Sequence, residues 1–129
     1  MRSTLAVVVL LALGAVGCGG GADQESGREV ATFGLDLFNE RVVGMTAGCI
    51  TCHSLDEDVN LVGPSLFGLG ERAEVLVPGM SAAEYVRESI VDPDAYVVDG
   101  FSAGLMVTVW AEVLSEEQID SLVEFLLDL

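Results

Sequence analysis

Three side chains able to bind or react with a prosthetic group stand in one short run, Cys49-Ile50-Thr51-Cys52-His53, and His53 is the only histidine of the chain. Two thiols three residues apart fall on neighbouring positions of one helical turn. Each S–H can then add across one of the two vinyl groups on a single porphyrin edge, giving two thioethers. The next residue lies under the ring with an imidazole nitrogen directed at the iron. This order of residue types is the attachment signature of a c-type haem. Two other chemistries use the same cysteine spacing, and each lacks a component here. A thioredoxin-like dithiol needs a βαβ context and no histidine. A zinc site usually needs four Cys or His ligands, and too few remain outside the run. Cys49, Cys52 and His53 are therefore the expected binding residues for one covalent haem c, with His53 an iron ligand.

The opposite face of the iron decides what such a site does. A methionine thioether there gives a closed, low-spin centre of raised potential, suited to electron transfer. An open face would permit gas binding or peroxide chemistry. Beyond the first residues the candidates are Met45, Met80 and Met106. Met45 is on the element feeding the proximal side and cannot readily reach across the ring. Met80 sits in a loop and is geometrically conceivable, as is Met106. No second histidine is left to assist peroxide chemistry.

Few elements are needed to position these groups. Val30, Phe33, Leu37 and Val42 recur at helical spacing, which predicts an amphipathic first helix leading through Gly44 to Gly48 into the cysteine turn. Gly63-Pro64 signals a turn before a short helical piece around Ser65 to Leu69. Ser81 and Glu84 form a capping box, and Pro93 should end that helix near Val91. A second box, Ser115 with Gln118, opens a last helix whose buried stripe is Ile119, Leu122, Val123 and Leu126. Met106 to Val109 is β-rich but too short to build a sheet. The expected class is all-α.

The N-terminal residues read as an export segment. Arg2 and the aliphatic run Leu5 to Val16 match a signal-peptide core and are too short for a bilayer-spanning helix, which needs about 20 residues. Ala15-Val16-Gly17-Cys18 resembles a bacterial lipoprotein cleavage box, in which the cysteine becomes the lipid-bearing N-terminus. Residues 1–17 are then a signal peptide and Cys18 the lipid attachment point. The competing reading is an ordinary signal peptide that leaves Cys18 a free thiol. Residues 18–29 read as a flexible tether, its glycine-rich polar stretch Gly19 to Arg28 spanning about 17 Å by random-coil scaling, and 30–129 as one domain.

Charge narrows the partners. The chain has 21 acidic residues, five arginines, no lysine and a formal net charge of −16. Such a surface excludes nucleic acid and direct docking on anionic lipid. It suits a redox partner with a basic docking face, or else serves solubility in a salty milieu.

Over residues 30–129 the order of elements resembles the class I c-type cytochrome family. Gly34 and Phe38 match its close-packing glycine and aromatic in the first helix, and Phe125 its aromatic in the last helix, crossing near that glycine. Gly63-Pro64-Ser65-Leu66-Phe67-Gly68-Leu69 looks like the segment that follows the haem motif in bacterial monohaem members. The resemblance implies a small cytochrome c fold of three to four helices around one haem. It implies that Met106, in Gly100-Phe101-Ser102-Ala103-Gly104-Leu105-Met106, is the second iron ligand, although Val107 stands where the family commonly has proline. It also implies that the Pro64 carbonyl accepts the other imidazole N–H of His53. Arg72 or Arg87 are candidates to pair with a haem propionate, and Tyr96 and Trp110 to flank the ring. The implied function is single-electron transfer by a lipid-anchored, extracytoplasmic carrier in a respiratory or related chain, not an enzyme. A fixed subunit of a respiratory complex is a variant of the same chemistry. A haem sensor or peroxidase-like protein with an open site is the alternative.

Overall fold

A computed structural model of the chain describes residues 22–129, with side chains from residue 27 onward. The stretch 1–17, read as a signal peptide, and Cys18 lie outside the described residues. The protein is mostly helical, with five α-helices and one two-stranded hairpin among those residues. None of the described helices is long and apolar enough to cross a membrane.

Helix α1 (Ala22–Asn39) begins eight residues before Val30, inside the stretch read as a tether. Among its described side chains the early part is exposed: Gly27, Arg28 and Glu29 face solvent, and a Cβ on Gly27 would meet no atom within 4 Å. Phe33 and Val42, assigned to the buried stripe, are 48% and 64% exposed, whereas Gly34, Leu37 and Phe38 are buried. Val42 lies beyond the end of α1 at Asn39, and the buried face of the helix includes Gly34, which adds nothing to a hydropathy pattern.

That glycine marks a helix crossing. A Cβ at Gly34 would overlap the Ser121 carbonyl and stand 2.8 Å from the Phe125 Cβ on the last helix, α5 (Glu116–Leu127). Phe38 and Phe125 pack beside the crossing with ring centroids 5.6 Å apart. Gly34→Ala is expected to destabilise the fold by about 1–3 kcal/mol, since backbone rather than a pliable side chain blocks the methyl group. Thermal unfolding by circular dichroism checks this, with exposed Phe33→Ala as the control. A Gly34→Ala midpoint equal to wild type would mean the helices do not approach so closely.

After α1 the chain makes a hairpin, β1 (Val42–Val43) with β2 (Thr46–Ala47), turned at Gly44 with φ +62°. Gly48 then passes so close to the Glu40 carbonyl that no side chain fits there. The helix expected around Ser65 to Leu69 lies further on, as α2 (Leu69–Leu76). Ser65 cannot start it, because its hydroxyl donates to the Asp56 carbonyl and its N–H to Asn60 Oδ1. Gly68 is left-handed, so the helix starts after it.

Helix α3 (Ala82–Val91) is capped as expected. The Glu84 N–H donates to Ser81 Oγ and the Ser81 N–H to Glu84 Oε2, and Asp92 ends the helix before Pro93. The Ser81 hydroxyl, which also donates to Glu84 Oε2 at 2.6 Å, and the Ser81 N–H hold the Glu84 carboxyl below the usual range. Ser115 and Gln118 cap α5 in the same way, and the four residues of its predicted stripe are all buried. No strand forms at Met106 to Val109, where no partner segment lies alongside. A one-turn helix not foreseen in the sequence, α4 (Trp110–Val113), follows and buries Trp110.

Candidate haem-binding cleft

Gly48 delivers the chain into a 3₁₀ turn at Cys49–Thr51. The N–H groups of Cys52 and His53 both donate to the Cys49 carbonyl, at 3.0 and 2.9 Å, and Thr51 Oγ1 donates to the Gly48 carbonyl at 2.6 Å. Cys49 and Cys52 are thereby held one turn apart, half-buried, with both thiols free. Burial pushes the Cys49 thiol up, with the neighbouring Cys52 adding to the effect, so it remains protonated at neutral pH.

His53 Nδ1 lies 2.9 Å from the Pro64 carbonyl oxygen, which can only accept, so Nδ1 carries the proton and donates. The Nε2 lone pair is left free to bind a metal. Burial holds the imidazole below its ordinary pKa, and the Pro64 bond offsets this only in part. The net effect favours the neutral ligand form at pH 7.

The Gly63-Pro64 segment is fastened to the cysteine turn from both sides. The Gly63 N–H donates to the Cys52 carbonyl at 2.9 Å and the Leu66 N–H to the Ser54 carbonyl at 2.9 Å. Gly63 lies flat against the imidazole: a Cβ there would stand 2.5 Å from His53 Cε1 and 2.9 Å from each ring nitrogen. Its role is visible in the sequence only as a turn signal.

These groups open on a cleft with about 1240 Å³ of atom-free space, its solvent-open mouth included. Cys49, Cys52 and His53 line it, together with Met106, Tyr96 and Trp110. Among the described methionines Met106 alone does so. Met45 is fully exposed at the hairpin turn, and Met80 packs part-buried against the core. Tyr85, unremarked in the sequence, also lines the cleft and meets Tyr96 edge-on, with centroids 5.7 Å apart. Its phenol is raised, chiefly by burial.

Neither candidate arginine lines the cleft. Arg72 Nη2 donates to the Ser65 and Phe67 carbonyls at 3.0 Å each, so it braces the loop before α2. Arg87 bridges α3 to α5 through Glu116 at 2.8 Å and through Asp120. Among the described residues no three His, Cys, Asp or Glu side chains converge closely enough to hold a bare metal ion.

No family model matches the chain, and no curated protein or solved structure matches it.

Proposed function

We propose that the protein is a lipid-anchored, extracytoplasmic monohaem cytochrome of the class I c type, passing single electrons between redox proteins. The observation that carries this is one apolar cleft lined by the CxxCH side chains and by a single methionine, with the His53 Nδ1–H already donated to Pro64. The residues present fit the group. Cys49 and Cys52 would hold it by two thioethers, and His53 Nε2 and Met106 Sδ would be its axial ligands. Haem bound there supplies a one-electron ferric–ferrous couple. The Pro64 carbonyl fixes the imidazole tautomer and raises its basicity, and Gly63 leaves room for the ring. The apolar walls of the cleft would keep water from the iron of a haem held there. Lipid on Cys18 would keep the domain at a bacterial membrane, and the acidic surface would select a partner with a basic face.

The test is covalency. Protein matured in a host with cytochrome c assembly machinery should retain its haem through acid-acetone extraction and denaturing electrophoresis. A Cys49→Ala, Cys52→Ala double variant should lose it. Wild-type protein that releases its haem under those conditions would overturn the reading.

A further inference from the structure

Met106 sits in an irregular segment between α3 and α4 that lines the cleft through Val97, Phe101, Leu105 and Met106. Two of its residues, Gly100 and Gly104, have φ of +91° and +76°. Val107 follows Met106, and it leaves free a backbone dihedral that a proline would lock. A loop of this kind costs conformational entropy to hold in one geometry. Something else must restrain it.

The Gly104 N–H donates to Asp94 Oδ1 at 2.8 Å. From Ser102 to Thr108 this is the one hydrogen bond that ties the loop to another segment, among the described residues. Asp94 is itself well held. It follows buried Pro93, whose ring fixes φ, and it sits in a turn closed by the Ala95 N–H on the Asp92 carbonyl at 3.0 Å. Its carboxylate is a charged acceptor, and such bonds are shorter and stronger than neutral ones. It also grips the loop two residues before Met106, on the side that Val107 does not control.

We infer that Asp94 is a positioning residue: by anchoring Gly104 it keeps the Met106 thioether at the cleft, an inference that rests on the haem reading above. In this role Asp94 acts through the loop backbone, by the bond it accepts from Gly104.

The test uses the full-length, haem-loaded protein with Asp94→Ala, Asp94→Asn and, as a control for lost charge, Asp99→Asn on the same loop. Two quantities are read: carbon monoxide affinity of the ferrous form, which reports how readily methionine leaves, and hydrogen exchange at the Gly104 amide. Loss of one charge-assisted bond at an exposed site is expected to raise both by roughly tenfold in Asp94→Ala. Asp94→Asn keeps an acceptor oxygen without the charge and should fall between wild type and Asp94→Ala, while Asp99→Asn should match wild type. Asp94→Ala matching wild type in either quantity would overturn the inference, and so would Asp94→Asn as damaging as Asp94→Ala. A wild-type protein without covalent haem would instead overturn the haem reading, and Gly104 exchange would still accept or reject the anchor.

Discussion

Met106→Ala is expected to expose the iron. The ferric protein should lose the weak red-edge band of a methionine–iron bond, and the ferrous protein should take up carbon monoxide readily. Its reduction potential should fall by on the order of 0.2 V, a fraction of the span of about 0.8 V over which axial ligands tune haem. The sign follows from the donor: a soft thioether favours the ferrous state, and water in its place does not. The comparison that gives the result meaning is Met80→Ala. Met80 packs part-buried against the core and does not line the cleft, so its loss should cost stability and leave the band intact. Met45, fully exposed, should be silent in every readout. Loss of the band in Met80→Ala would show the wrong methionine has been chosen. Retention in all three variants would show that methionine is not the ligand.

Electron exchange with a cationic reagent should fall steeply as salt rises, while exchange with an anionic reagent of similar potential should quicken. Asp56, Glu57 and Asp58 are exposed in the loop that starts just beyond His53. Asp94 lines the cleft and is exposed too, as are Val62 and Leu105 at its lip. A field of many like charges on a protein of net charge −16 can change encounter rates by about 10–10³. The Debye length shrinks from about 30 Å at 0.01 M to about 10 Å at 0.1 M, so that advantage is lost over this range. Asp56→Lys with Glu57→Lys should slow the cationic reagent at low salt and have little effect at high salt. At position 58 the change to make is Asp58→Asn, because φ there is +58°, a conformation that asparagine tolerates better than lysine. Stopped-flow mixing across an ionic-strength series reads all of this. Equal, flat responses for both reagents would mean the acidity serves solubility instead of steering, and would leave the electron-carrier proposal untouched.

Features encoded within a few consecutive residues are legible in the amino-acid order alone. The two capping boxes are examples: Ser81 with Glu84 and Ser115 with Gln118 each need only a hydroxyl and a partner three residues on. The end of α3 before Pro93 and the buried stripe of α5 follow from equally local rules. Local pattern misleads where it is silent or ambiguous. Residues 22–29 lack an apolar period, yet they are helical, because an apolar period marks the buried face of a helix and not the helix itself. Ser65 looks like the start of a helix because its bonds to distant Asp56 and Asn60 are invisible in sequence.

By itself, then, the sequence determined the spacing of Cys49, Cys52 and His53, the helical class, the main helix ends and the sign of the surface. Each of these depends on neighbours along the chain or on composition alone. Tertiary structure decided the rest. It put Met106, and neither Met80 nor Met45, on the cleft wall, moved Arg72 and Arg87 away from the cleft, turned α1 so that Gly34 meets Ser121, and set Gly63 against the imidazole. It brought Asp94 to Gly104. None of these approaches lies within one helical turn of sequence, and each is fixed by which backbones can come close and which donors find acceptors there. No periodicity or motif encodes such distances; packing does.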